Sequence, residues 1–173
     1  MTTSVATIIP TLFCGGTAKE QAEYYVSIFP NSKIEKTTFY PASAEITRHG
    51  YKEGDILAIT FSLLNGSLRM TAINGPPNMF KFNEAVSFTI STKDQEDTDH
   101  YWDNLTKDAD QEKQFCCWCQ DKFGLWWQVV PKEYHEIIEG ENRELAAKTF
   151  KISMNWKKAD IAGLSKALEE VKD

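Results

Sequence analysis

Cys116-Cys117-Trp118-Cys119-Gln120-Asp121-Lys122-Phe123-Gly124-Leu125-Trp126-Trp127-Gln128-Val129-Val130-Pro131 is the stretch on which the reading of this chain turns. Phe115 to Trp118 reads as one strand and Asp121-Lys122-Phe123-Gly124 as a turn. Leu125 to Val130 reads as a second strand, stopped by a proline that has no backbone N–H to give. Side chains alternate along a strand, so Trp126 and Gln128 fall on one face and Trp127 on the other. One of these tryptophans therefore faces an inner surface and the other the outer helices.

Working outward from this hairpin, the chain shows a repeated order of elements. Ile8 to Cys14 reads as a strand and Gly15-Gly16 as a turn. Thr17-Ala18-Lys19-Glu20 has the form of a capping box. Ala18, Ala22, Tyr25, Val26 and Phe29 then recur at helical spacing, and Pro30-Asn31 ends the helix. Ser32 to Tyr40 is β-prone, and Ala42 to Gly54 reads as a long polar loop. Ile56 to Leu63 and Ser67 to Ile73 flank an Asn65-Gly66 hairpin turn. The second half restarts with Val86, Phe88 and Ile90 alternating with polar residues. A helix over Thr92 to Lys107 follows, with Thr98, Tyr101, Trp102 and Leu105 on its buried side, before the closing hairpin. Each half thus reads strand, helix, strands, with Tyr25 and Tyr101 at comparable points. After Pro131 the pattern becomes helical: Lys132 to Gly140, Glu141 to Asn155, and Asp160 to Lys172. Asp160 is the N-cap of the last, with Ile161, Leu164 and Leu168 on one face. This tail packs either on the core or on a second subunit.

The bulk numbers exclude several classes. A net charge of −6 with scattered Lys and Arg gives no basic stripe for nucleic acid. No apolar run reaches the ~18 residues of a membrane span. Met1 to Thr7 lacks the basic start and apolar core of a signal peptide, which favours the cytoplasm. Cys14, Cys116, Cys117 and Cys119 form neither two separated pairs for structural zinc nor an evident disulfide framework.

Ile9-Pro10 with Ala18, Ala22, Tyr25 and Phe29, then Asn74-Gly75-Pro76, Lys81 to Phe88, Asp94-Gln95-Glu96, Tyr101-Trp102, Trp118 with Asp121 to Gly124, and Trp127 to Pro131 together resemble the PhnB-like family. That family carries the label demethylubiquinone methyltransferase and belongs to the vicinal oxygen chelate (glyoxalase and bleomycin-resistance) superfamily. The resemblance reaches Lys157, Asp160 and Ile161 in the tail. It implies an α+β fold: paired β-α-β-β-β modules forming a cup-shaped mixed sheet around a pocket, often completed in a homodimer, plus a C-terminal helical tail. The expected boundaries are a domain over 1–131, with modules 1–78 and 79–131, and a helical extension over 132–173. The chain departs from the family at Cys116-Cys117-Trp118-Cys119, where relatives commonly read Cys-Gly-Trp-Leu. It departs again at Trp126, where they carry a small residue.

Metal-dependent members of the superfamily hold a divalent ion with His, Gln or Glu on four strands. The resemblance places the equivalents near Thr11, Met70, Ser87 and Gln128. Only Gln128 is a reasonable oxygen ligand, and no carboxylate offsets the charge of an ion. The expectation is therefore a small-molecule pocket with no metal and no cofactor. Its candidates are Thr11, Phe13, Met70, Asn74, Ser87, Cys116, Trp118, Trp126 and Gln128. Two functions compete: a pocket protein that binds or sequesters a small molecule, and an enzyme in which Gln128 and Ser87 polarise an oxygen-rich substrate. The enzyme reading includes a metal-dependent lyase or dioxygenase of the same superfamily, which bound metal with His49 brought to the pocket would favour. Methyl transfer is the distant alternative. Gly15-Gly16-Thr17 follows a strand and opens a helix, where N–H groups can hold an anion, but the run of consecutive strands after it is wrong for a dinucleotide-type fold. Cys116 reads as a packed cysteine, because His49, His100 and His135 are dispersed. Thr47-Arg48-His49-Gly50-Tyr51-Lys52 reads as a connector, with a lid over an anionic ligand as the alternative.

Overall fold

The computed structural model describes residues 6–42 and 49–169. It divides into two compact units, one ending at Lys81 and the other beginning at Phe82.

The first unit contains β1 (Thr11–Phe13), α1 (Ala18–Ile28), β2 (Lys33–Phe39), β3 (Ile56–Leu63) and β4 (Leu68–Ile73). Their order in the sheet is β1-β4-β3-β2, with β1 parallel to β4 and the other pairs antiparallel. Of the helical stripe read from the sequence, Ala18, Ala22 and Tyr25 lie on the buried face of α1 and Val26 is half-buried; Ile28 joins that face, and the Tyr25 ring stacks on Phe61 at 6.1 Å. Leu12, Ile59, Leu63, Met70 and Ala72 complete this core. Each large apolar side chain buried there contributes about 1.5–3 kcal/mol.

The start of α1 differs from the sequence expectation. Thr17 makes no side-chain capping bond. Its hydroxyl donates to the Cys14 carbonyl at 2.7 Å and accepts from Gln21 Nε2 at 2.9 Å. The helix end is served from the far side of the unit by Asn74, whose Oδ1 accepts from the N–H groups of Gly16 and Ala18, both at 3.0 Å. Asn74 Nδ2 donates to the Ile56 carbonyl at 2.9 Å, and the Tyr40 hydroxyl donates to the Asn74 carbonyl at 2.6 Å. A remote, buried amide with two acceptor lone pairs thus replaces the local box.

The second unit contains β5 (Ser87–Thr92), α2 (Gln95–Thr106), β6 (Gln114–Phe115), β7 (Trp118–Gln120) and β8 (Trp126–Pro131). These are followed by α3 (Lys132–Glu139), α4 (Arg143–Ser153) and α5 (Ile161–Glu169). The order β5-β8-β7-β6 repeats that of the first unit, again with a parallel pair at one edge of the sheet. The sequence expectation of one strand from Phe115 to Trp118 is corrected here. Cys116 and Cys117 adopt φ of 49° and 65°, the left-handed pair of a tight hairpin turn, so β6 ends at Phe115 and β7 begins at Trp118. Their N–H groups donate to the carbonyls of Trp156 and Lys157, at 2.7 and 2.9 Å. Helix α2 starts later than expected, because Asp94 caps it by accepting from the Asp97 N–H.

The cup-shaped mixed sheet is also corrected. The structure has two open four-stranded mixed sheets, neither closed nor curled. Among the described residues the strands pair within their own half, and the outermost strands are β1 and β2 in one sheet and β5 and β6 in the other. The edge strands β1 and β6 are three and two residues long, too short to carry a ladder further.

The tail packs on the second unit, to which it belongs. Cys117, Val130 and Ala159 form a buried cluster with Tyr134 and Trp156 against it. Gln95 Nε2 donates to the Ala159 carbonyl and its Oε1 accepts from the Ile161 N–H, each at 3.0 Å. Lys158 bridges Asp99 and Asp103 at 2.9 and 3.1 Å. Asp160 caps α5 through the Gly163 N–H, as read from the sequence, and Leu164 is fully buried. Among the described residues no helix is long and apolar enough to cross a membrane.

Candidate functional site

The register of the second sheet sorts its side chains. Gln128 lies opposite Thr89 on one side and Trp118 on the other; Trp126 lies opposite Ser87 and Gln120. Directly opposed residues share a face. Ser87, Trp118, Trp126 and Gln128 therefore occupy one face, while Phe88, Cys119 and Trp127 occupy the face packed by α2.

Two groups of contacts hold this arrangement. The Trp127 indole donates to Asp121 Oδ2 at 2.9 Å. Asp121 Oδ1 accepts from the N–H groups of Phe123 and Leu125 at 2.9 and 3.0 Å. The turn closes because Gly124 takes φ of 89°, which a side chain would strain. On the opposite face, Phe115, Trp118 and Trp126 form an aromatic trio with centroids 5.9 to 6.1 Å apart. Gln128 Nε2 donates to Ser87 Oγ at 2.8 Å. The Gln128 amide oxygen makes no hydrogen bond among the described residues, so it stays available as an acceptor.

A cavity of about 210 Å³ opens on this face. Cys116, Cys117, Trp118, Gln128 and Val130 line it from the sheet side; Tyr134, His135, Phe150, Ser153 and Met154 line it from the tail. The Tyr134 and Ser153 hydroxyls bond each other at 3.2 Å. No carboxylate and no lysine or arginine is in the lining. In a wider, polar cleft of about 450 Å³ near Asn31, Lys33, Glu35 and Asn65 in the first unit, Glu35 and Ser32 are engaged with neighbours. Arg69 Nε donates to Glu35 at 2.7 Å and the Leu64 N–H to Ser32 Oγ at 3.1 Å.

The structure thus brings Cys116, Trp118 and Gln128 to one cavity, with Ser87 joined through Gln128. Trp126 stands edge-on behind Trp118 and is 3% exposed. The first-unit candidates are not assembled in the same way. Thr11 is exposed and pairs with Thr71, whereas Met70 pairs with Phe61 on the α1 face, so the two lie on opposite faces of their sheet. Phe13 lies edge-on to Phe80 at 4.7 Å and against Gly75, where a Cβ would run into its ring. Asn74 is committed to the clamp described above. Of the 47–52 loop, Thr47 and Arg48 lie outside the described residues. Tyr51 stacks on Tyr40 at 4.9 Å and donates to the Gly75 carbonyl at 2.8 Å.

Sequence reasoning missed the tail residues, His135 above all. The available signal was the immediate start of a helix after Pro131, two residues beyond a strand position on the Gln128 face.

Burial pushes the thiols of Cys14 and Cys117 up to about 12, against a backbone hydrogen bond from Ile73 for Cys14 and with a contribution from Cys116 for Cys117. Burial, then the Asp121 carboxylate and Cys117, raises Cys119 as well. Cys116 differs in being half-buried at the cavity wall.

The residues that the resemblance places near the superfamily's metal positions do not fit a divalent ion. Met70 is a buried thioether on the helix face, Thr11 and Ser87 are neutral hydroxyls, and the Gln128 amide is turned to Ser87. Among the described residues no group of three or more His, Cys, Asp or Glu side chains converges on a point. Nor does the Gly15-Gly16 turn fit the anionic end of a nucleotide-like cofactor, since the N–H groups of Gly16 and Ala18 already donate to Asn74.

Comparison with known proteins agrees with the fold. The profile of a family described as 3-demethylubiquinone-9 3-methyltransferase matches residues 6–130. A PhnB protein from Bacillus cereus, provisionally described as a 3-demethylubiquinone-9 3-methyltransferase, superposes with a TM-score of 0.60 at 26% identity, covering 73% of this chain and 99% of that one. A protein from Pseudomonas aeruginosa superposes with a TM-score of 0.55 at 17% identity, covering 74% and 98%. Leishmania major glyoxalase I aligns at 14% identity with a TM-score of 0.47, covering 83% and 99%. No curated protein matches the sequence.

Proposed function

The chain belongs to the 3-demethylubiquinone-9 3-methyltransferase (PhnB-like) family of the vicinal oxygen chelate superfamily, and from that premise we propose that it binds a small, uncharged, largely apolar molecule in the cavity under α3 and α4. The observation that carries this reading is the free Gln128 amide oxygen, oriented by the Ser87 bond, in a wall of Trp118, Tyr134, Phe150 and Val130. One fixed polar group in an apolar wall sets orientation while the aromatic faces supply affinity. At about 210 Å³ the cavity is below the ~300–1,000 Å³ of drug-sized sites, so the ligand is of fragment size with a hydrogen-bond donor for Gln128. Ser87, Trp118 and Gln128 are assigned to the pocket and Trp126 to its backing; Thr11, Phe13, Met70 and Asn74 are assigned to the scaffold.

The family name brings methyl transfer with it, but the engaged Gly15-Gly16 turn gives that reading no support. We place the protein in the cytoplasm as a homodimer with no nucleic-acid partner. Exposed apolar side chains at Phe39, Phe115 and Phe150 support the dimer, and the acidic balance supports the absence of nucleic acid.

The test is an NMR or tryptophan-fluorescence screen with neutral aromatic fragments, repeated on Gln128→Ala, with native mass spectrometry for the dimer. Hits that perturb Trp118 and weaken about tenfold in Gln128→Ala, a loss of about 1.4 kcal/mol, are expected. Hits that bind both proteins equally, or none at all, would sink the assignment.

A further inference from the structure

The Cys116-Cys117 turn holds two side-chain-bearing residues at positive φ, a conformation that costs roughly 1–3 kcal/mol at each. The carbonyls of Trp156 and Lys157 hold it there. The two thiols part company as a result. Cys117 enters the cluster with Val130 and Ala159. Cys116 Sγ turns to the end of α4, 3.6 Å from the Met154 carbonyl oxygen and 3.9 Å from Met154 Sδ. His135 lines the same cavity, and its ring nitrogens make no hydrogen bond among the described residues.

We propose that Cys116, Met154 and His135 form a binding site for a soft monovalent cation, copper(I) by preference. Two sulfurs 3.9 Å apart, each about 2.3 Å from a shared ion, subtend about 115° there, a trigonal arrangement with one position left for the imidazole. Thiolate and thioether are the donors that select copper(I), and imidazole also suits copper. The lining has no carboxylate for a hard divalent ion. On loading, the Cys116 thiol proton leaves to solvent and the S–Cu bond forms without a change of oxidation state. One thiolate balances one unit of positive charge, so the loaded site is neutral, as an apolar cavity requires. Neither Gln128 nor Ser87 takes part, so this site stands or falls separately from the small-molecule reading.

The experiment is an anaerobic titration of the reduced full-length protein with copper(I) against a chromophoric copper(I) chelator, with X-ray absorption of the loaded sample. One ion per chain is expected, with two sulfurs and one nitrogen in its shell. Cys116→Ser is expected to weaken it more than about 100-fold, and Met154→Leu and His135→Gln about tenfold each. Cys14→Ser leaves it unchanged. Equal affinity in wild type and Cys116→Ser, an oxygen-only shell, or equal loss in Cys14→Ser would overturn the proposal. Should Cys116→Ser fail to fold, Met154→Leu and His135→Gln decide, and binding unaltered in both overturns it.

Discussion

In the first unit β2 and β3 run for seven and eight residues and pair along almost their whole length; in the second, β6 and β7 keep two and three. Strand order and the parallel pair at one edge are the same in both. The short hairpin leaves backbone donors at Cys116 and Cys117 that no strand partner uses, and the tail supplies carbonyls for them. That exchange also brings α3 and α4 over the face carrying Gln128. The two units differ in their polar hubs too. Asn74 holds the first together as a neutral amide, and Asp121 the second as a carboxylate. One topology therefore tolerates different internal fastenings, and the cavity arises where a sheet has given up length to helices.

The largest effect belongs to Asp121→Ala, which strands three donors around a buried carboxylate position; urea denaturation should show a loss of about 4 kcal/mol. Asn74→Ala should cost the first unit about 3 kcal/mol by the same assay, since two helix-end N–H groups lose their acceptor. A loss at Asn74 that equals or exceeds the one at Asp121 would refute the ranking of charged over neutral hub.

Thiol labelling of the native protein near pH 8, read by mass spectrometry, should modify Cys116 at least about tenfold faster than Cys14, Cys117 and Cys119, whose thiols burial keeps protonated. Two fast thiols would mean that the turn does not part Cys116 from Cys117.

The smallest effect concerns the tail tether. Asp99 is held below the usual carboxylate range, first by its hydrogen bond from Lys158 and then by Gln95. Its contribution is therefore full above about pH 4 and is lost as pH falls through the lowered value. Burial works against the Lys158 charge, but Asp99 and Asp103 prevail and hold it above its ordinary 10.5; that share is full below 10.5 and is lost as pH rises beyond it. The pair is partly exposed, so Lys158→Ala should reduce hydrogen-exchange protection of α5 by less than about 1 kcal/mol at pH 7, and less still in high salt. A matching loss of protection in α1 would mean that the effect is not local to the tail.

Local chemistry explains how much of this was legible in the sequence. The apolar stripes Ala18-Ala22-Tyr25 and Thr98-Tyr101-Trp102-Leu105 are periodic, and each is the buried face of its helix. The alternation of Trp126, Trp127 and Gln128 gave the correct faces because β8 pairs on both sides without a bulge. The Thr17 box was misread because Asn74, remote in sequence, outcompetes a local side chain for the same donors. The Cys116-Cys117 turn was misread because cysteine is not a turn residue, and only the returning tail makes that conformation affordable. His135 was passed over for the same reason: its neighbours come from both sides of a fold-back that no spacing rule encodes.

The Asn74 clamp has a consequence for how the chain is born. Ala18 and Asn74 are 56 residues apart, so at about 5–20 residues per second α1 leaves the ribosome roughly 3–11 s before its terminal acceptor exists. An eleven-residue helix is below the ~12–15 at which isolated helices become even marginal in water. The nascent α1 segment is therefore marginal as a helix, with Ala22, Tyr25 and Phe29 open to chaperones and proteases, until β4 and Asn74 arrive.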